Sequence, residues 1–160
     1  MGGGTVDIRD HRGKVVLVSF VYSQCPDTCP LIMQMLRQAR DDLGAAADDV
    51  EIVLVSTDPE GDTPANVRTF LARYDMADDA QYLIGSRRQL EAVWRRWGVA
   101  TEVHAHQHDG TGLQEHDHAG LVDHTSLTYG VSADGRLTTA YPVNFPVAAI
   151  VHDVPLLASS

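Results

Sequence analysis

The chain has only two cysteines, and both stand in the run Cys25-Pro26-Asp27-Thr28-Cys29-Pro30, directly after a strongly apolar segment. Paired thiols can close as a disulfide, attack another disulfide, or hold a soft metal ion as thiolates. If the intervening turn is helical, a rise of about 1.5 Å per residue puts the two Cα atoms roughly 6 Å apart. That lies within the usual disulfide span of about 4.4–6.8 Å, so the same pair could close on itself or pinch one ion. Free cysteines are often inert core residues, but two of them flanked by prolines beside Asp27 make poor core filler.

Imidazoles are the second chemical feature. Six of the eight histidines fall between His104 and His124. The segment 101–120 mixes Gly110, Gly112 and Gly120 with Glu102, Asp109, Glu115 and Asp117, and reads as a surface loop with little core content. His104, His106 and His108 alternate, so an extended backbone would project them on one face. With His116 and His118 they form a candidate auxiliary site for Cu(II), Zn(II) or Ni(II); a solvated loop with adventitious metal affinity is the competing reading. His124 differs, because Leu121-Val122-Asp123-His124-Thr125-Ser126-Leu127 leads into a core strand that would fix its position. Two thiolates and one imidazole are a soft, low-coordinate set suited to Cu(I), and to Cu(II) with a further ligand. His11 and His152 read as surface or helix-face residues without chemistry.

Several elements must position these groups. Val15 to Tyr22 is β-branched and aromatic and predicts a buried strand running into the cysteines. After them, Ile32, Met35, Leu36, Ala39 and Leu43 recur at helical spacing, with Pro30 in the first turn. The thiols thus stand at a strand-to-helix junction, where unpaired amides and the helix dipole favour thiolate. Val50 to Ser56 predicts a second buried strand, ending in the loop Thr57-Asp58-Pro59-Glu60-Gly61-Asp62-Thr63-Pro64. Thr63 and Pro64 cap and open a helix with Val67, Phe70, Leu71 and Tyr74 on one face. Gln81 to Ile84 is a short strand candidate. The capping box Ser86/Gln89 starts a third helix that buries Leu90, Val93, Trp94 and Trp97 and stops at Gly98. Ser126–Ser132 and Arg136–Tyr141 are strand candidates joined through Asp134-Gly135, and a last helix carries Val147, Ile150, Val151 and Val154. This order predicts an α/β, thioredoxin-like fold: a mixed central sheet, helices on both faces, and a His-rich loop insertion. The site would lie at the strand C-termini, as in other open α/β sheets.

At 160 residues and 44% hydrophobic content, residues 1–160 are expected to form one domain, with 1–13 an N-terminal lead and 101–120 the loop. A net charge of −10 without a Lys/Arg cluster argues against nucleic acid as a partner. No apolar run reaches the roughly 18 residues of a membrane helix. Met1-Gly2-Gly3-Gly4 reads as an added start, and a targeting or anchoring segment is expected to lie outside this sequence.

These residues resemble the Sco/SenC family of copper-binding, thioredoxin-fold proteins. The resemblance rests on Arg12-Gly13-Lys14 leading into the first strand, on Cys25-Pro26-Asp27-Thr28-Cys29-Pro30, on Ser56 to Pro64, on Asp123-His124-Thr125 before a strand, and on Asp134-Gly135. It implies that Cys25, Cys29 and His124 bind one copper ion, as Cu(I) or Cu(II). It also implies a copper chaperone that delivers copper to, or matures, the binuclear copper site of cytochrome c oxidase. The implied partners are the copper-site subunit of that oxidase and another copper chaperone or thiol reductant. The implied location is extracytoplasmic, in the periplasm or on the outer face of the cytoplasmic membrane, with the native form membrane-tethered. The alternative is a thiol-disulfide oxidoreductase in which Cys25 and Cys29 reduce the cysteines of the copper-site apoprotein. A peroxidase-type thiol and a structural zinc site are weaker readings, since structural zinc usually takes four protein ligands. The His-rich insert departs from the family's core motif.

Overall fold

The computed structural model describes residues 5–99 and 126–160. The His-rich loop, with His104, His106, His108, His116 and His118, lies outside the described residues, and so does His124. After a 3-10 turn at Ile8–His11, the elements are β1 (Val15–Val21), α1 (Thr28–Leu43), β2 (Val50–Ser56), α2 (Pro64–Arg73), β3 (Ala80–Leu83), α3 (Arg87–Trp97), β4 (Leu127–Val131), β5 (Leu137–Pro142) and α4 (Val147–Ala158). One five-stranded sheet has the order β3-β2-β1-β4-β5. β1 pairs in parallel with β2, and β2 with β3; β4 is antiparallel to both β1 and β5. This is the mixed, thioredoxin-like sheet expected from the element order.

All seven residues of β1 are buried, because both faces of this central strand are covered. Val15, Leu17 and Val21 pack with Ile52, Leu54 and Tyr82 against Ile32, Met33 and Leu36 of α1, Val67 and Phe70 of α2, and Ile150 and Val154 of α4. Val16, Val18 and Phe20 face the other way, onto Leu90 and Trp94 of α3 and Tyr129 of β4. Phe20, Trp97 and Tyr129 close that side as an aromatic triad with ring centroids 5.2–6.0 Å apart. The two polar residues sealed into β1 and β4 satisfy one another: Ser19 Oγ and Thr128 Oγ1 are directly opposite in register and 2.7 Å apart.

The local signals mostly hold. Thr63 Oγ1 accepts from the Asn66 amide, with Pro64 opening α2. Gln89 Oε1 accepts from the Ser86 amide at 2.9 Å, and Gly98 ends α3 at φ 67°. The strand edges shift by a residue: Tyr22 lies beyond β1, β3 is Ala80–Leu83 with Ile84 outside it, β4 excludes Ser126 and Ser132, and β5 runs to Pro142. On α4, Leu157 is buried where the pattern favoured Val151, which is only half-buried. A Cβ on Gly130 would meet Thr139 Cγ2 at 2.6 Å, so β4 can lie this close to β5 and α4 only with glycine there.

β1, β2 and β3 run the same way, so their C-termini share one edge of the sheet. The loops 22–27 and 57–63, and the chain entering β4, meet that edge.

Candidate metal centre

The loop that carries the cysteines is held at its root by backbone. β1 ends at Val21, whose carbonyl accepts from the Thr57 amide at 2.9 Å and from the Tyr82 hydroxyl at 3.3 Å. The chain then turns, with the Cys25 amide donating to the Tyr22 carbonyl at 3.2 Å. α1 starts only at Thr28, so the segment 25–27 is a bend and the helical spacing assumed for the pair does not apply to it. Pro30 sits in the first turn of α1, where its missing donor costs nothing.

Both thiols are free, Cys25 9% exposed and Cys29 1% exposed. The backbone amide of Cys29, one of the unpaired donors of the first helical turn, points at Cys25 Sγ at 3.4 Å. The Thr28 hydroxyl lies 3.8 Å from the same sulfur. The two thiols are therefore not equivalent. Cys25 is lowered to about 5, first because the Cys29 thiol donates to its sulfur, then through the amides of Cys29 and Asp27 and the Thr28 hydroxyl, against the opposing effect of burial. Cys29 is pushed well above the ordinary thiol range by that same hydrogen bond, then by burial, with the charges of Cys25 and Asp62 adding to it. As a coupled pair they release the first proton from Cys25 and keep the second on Cys29. Burial, followed by the Cys25 charge, also pushes the Tyr22 phenol up.

Beneath this loop sits a carboxylate whose role the sequence alone did not reveal. Asp62, only 3% exposed, accepts from the Ser23 amide at 2.8 Å on Oδ1, and on Oδ2 from the Ser56 hydroxyl at 2.6 Å and the Tyr82 hydroxyl at 2.7 Å. The Ser56 carbonyl in turn accepts from Trp94 Nε1 at 2.9 Å. A polar side chain inside a Gly/Pro/Asp-rich loop normally reads as a surface turn residue; the signal for burial would have been its nearness to the end of the largely apolar strand Val50–Ser56.

The structure thus brings Cys25 and Cys29 together and provides two sulfurs, one already biased to thiolate, as a donor pair for a soft cation. Asp62 is committed to three donors, and Asp27 is exposed and does not gather with the two sulfurs into a three-ligand group. Among the described residues, no group of three or more His, Cys, Asp or Glu side chains gathers as a metal site. His11 precedes β1, at the opposite end of that strand from Cys25, and His152 stands exposed on α4 with Nδ1 3.0 Å from Asp153. Ser23 Oγ and Thr57 Oγ1, in the two loops at this edge, are buried without a hydrogen-bond partner among the described residues.

Comparison with known proteins agrees with this architecture. Residues 2–159 match the family described as SCO1/SenC. The mitochondrial SCO2 homolog of Bos taurus is 31% identical over 157 residues, which cover 88% of this chain and 54% of the bovine protein. The chain thus spans about half the length of that relative. The structure of Bradyrhizobium japonicum ScoI with copper bound superposes with a TM-score of 0.75 at 26% identity, covering 95% of this chain and 90% of ScoI. BsSco, a member of the Sco family of cytochrome c oxidase assembly proteins in which a disulfide switch was identified, gives 0.72 at 25% identity, covering 98% and 87% of the two chains.

Proposed function

This chain belongs to the SCO1/SenC family, and on that premise we propose that it is a copper chaperone for cytochrome c oxidase assembly, carrying copper on Cys25, Cys29 and His124. Copper is here cargo, so the site must hold it and also let it go. The observation that carries the reading is the polarised sulfur pair, with the Cys29 amide on Cys25 Sγ and, among the described residues, no carboxylate gathered with the two sulfurs as a metal site. Such a pair favours a soft monovalent ion over a hard divalent one. Copper bound to the ScoI relative supports the choice of metal.

His124 is the third ligand in this reading. It precedes Leu127, the first residue of β4, by three positions, and β4 pairs antiparallel with β1 so that its N-terminal end lies beside the C-terminal end of β1. A span of three residues reaches about 10 Å, which suits a ligand delivered to the thiols. On loading, Cys29 gives up its proton and both sulfurs bind; on release, thiolates of the acceptor replace them one at a time by ligand exchange. The acceptor is the copper-site subunit of the oxidase, and the native protein works tethered to the outer face of a membrane. Among the described residues, no helix is long and apolar enough to cross a membrane. His104, His106, His108, His116 and His118 serve as an auxiliary copper-gathering site.

One observation favours a second reading. A low Cys25 beside a protonated Cys29 is also the arrangement of an attacking and a resolving thiol, and a disulfide switch is known in BsSco. As a thiol-disulfide oxidoreductase the protein would reduce the acceptor's cysteines and would not need His124.

Anaerobic Cu(I) titration of the reduced protein separates the two readings, comparing the parent with His124→Ala and with a variant lacking the five loop histidines. The chaperone reading expects one tightly bound Cu(I) that is weakened by His124→Ala and survives loss of the loop histidines, with thiol-disulfide exchange unaffected by His124→Ala. Copper binding that follows the loop histidines and ignores His124 would sink it and leave the reductase.

A further inference from the structure

The loop Ser56 to Pro64 is part of the family resemblance, yet neither copper ligation nor thiol exchange uses it. It contributes the most buried carboxylate among the described residues, Asp62, and that carboxylate is spent on the backbone that leads to Cys25. We infer that Asp62 is a positioning residue for the thiol pair: by accepting the Ser23 amide, it pins the segment Tyr22–Cys25 to the ends of β2 and β3, so that Cys25 is presented to Cys29 at closing distance.

The geometry supports this at each link. Cys29 belongs to α1 and is fixed by the helix and its packing. Cys25 lies outside it, on a bend, and depends on what holds the preceding residues. The bonds that tie them to β2, β3 and the loop after β2 are Thr57 amide to Val21 carbonyl, Tyr82 hydroxyl to Val21 carbonyl, and Ser23 amide to Asp62 Oδ1. Asp62 is itself held by Ser56 and Tyr82, which reside on two different strands. The Ser23 bond reaches past the end of β1 into the cysteine segment, beside the contacts that Tyr22 makes with the two thiols. A buried charge that accepts three hydrogen bonds is also a stiff anchor, because each bond to a carboxylate is stronger than its neutral counterpart.

The consequence falls on the redox couple. Reduction breaks the Cys25–Cys29 S–S bond and, with Cys25 ionised at neutral pH, takes up two electrons and one proton to give a thiolate and a thiol; a dithiol such as dithiothreitol supplies the electrons and that proton, releases its second proton to solvent and becomes a cyclic disulfide. The disulfide is favoured in proportion to the effective concentration of one thiol at the other. Releasing Ser23 lets Cys25 wander and lowers that concentration, so the disulfide weakens and the midpoint moves to a more positive potential.

This inference rests on the reading of Cys25 and Cys29 as the reacting pair, but not on copper. Its test is the disulfide midpoint of the full chain, measured in dithiothreitol redox buffers without metal, for the parent, Asp62→Ala and Asp62→Asn. Asp62→Ala removes the acceptor and should weaken the disulfide about tenfold, equivalent to about 30 mV for a two-electron couple. Asp62→Asn keeps an oxygen for Ser23 and should restore the midpoint to within about threefold of the parent. A second measurement needs no variant: in the reduced parent the Ser23 amide should exchange about a hundredfold more slowly than a free-chain amide. An Asp62→Ala variant that melts earlier at an unchanged midpoint would reduce Asp62 to a structural part. An Asp62→Asn midpoint displaced as far as that of Asp62→Ala would assign the effect to charge rather than to the clamp. Ser23 exchange at the free-chain rate would remove the clamp itself, even if Asp62→Ala failed to fold. If the midpoints shift as expected while copper binding is absent, the chaperone reading fails and the positioning role stands; if copper binds while the midpoints do not move, the reverse holds.

Discussion

The inequality of the two thiols makes copper affinity depend on pH in a calculable way. Binding one Cu(I) through both sulfurs requires two thiolates, and any proton still on the ligands must leave. Between pH 7 and 9 Cys25, held near about 5, is already ionised, while Cys29, pushed up by its hydrogen bond to Cys25 and by burial, still carries its proton. One proton is therefore released per ion bound, and the affinity rises tenfold per pH unit, about 1.4 kcal/mol each. The sign follows from mass action, because removing protons from solution favours the copper complex. From pH 7 to pH 9 the gain is about a hundredfold, or about 2.7 kcal/mol. An imidazole ligand adds a second proton to be displaced below its ordinary value of about 6.5. With His124 as a ligand, the slope should steepen towards two near pH 6, where Cys25 is still ionised, and His124→Ala should return it to about one there. Anaerobic competition against a chromophoric Cu(I) chelator of pH-independent affinity measures both slopes. A flat profile between pH 7 and 9 would refute the reasoning, since it would mean that Cys29 is already ionised or does not bind.

Two further outcomes follow from the same geometry. Limited alkylation of the reduced protein with iodoacetamide at pH 6 should label Cys25 and spare Cys29, because only Cys25 is a thiolate there and Cys29 is more deeply buried; peptide mass mapping reads the site, and preferential labelling of Cys29 would reverse the assignment. Gly130→Ala would put a Cβ 2.6 Å from Thr139 Cγ2 and 3.4 Å from Leu157 and Tyr141. It should cost about 1–3 kcal/mol of stability by overpacking, read as a lower denaturation midpoint with the Cys25/Cys29 chemistry intact. An unchanged midpoint would show that β5 and α4 give way without strain.

Much of the frame is visible in short stretches of chain. The run Val15 to Val21 announces a strand covered on both faces, and the spacing of Ile32, Leu36 and Ala39 announces the helix that buries them. Thr63-Pro64 and Ser86/Gln89 mark helix starts because capping is a matter of three or four neighbouring residues. The cysteine pair and its place at a strand-to-helix junction are equally local. The strand edges at Tyr22, Ile84 and Ser126 were less legible, since pairing ends where the partner strand ends, which the strand's own composition does not record.

Which sulfur ionises first and what holds the cysteine loop are not local properties. Cys25 becomes the acidic thiol because the Cys29 thiol donates to its sulfur and because α1, beginning at Thr28, turns the Cys29 amide onto that sulfur as well; the motif read as letters treats the two cysteines alike. Asp62 becomes a buried anchor because its acceptors meet Ser23, Ser56 and Tyr82, which lie 39, 6 and 20 residues away in the chain. The sequence by itself determined the parts: a thiol pair, a buried strand, a capped helix and the acidic loop beside them. Only the tertiary structure decided their relations, since hydrogen bonds and burial act over ångströms in space, and the ends of three parallel strands are brought within that range only when the sheet is assembled.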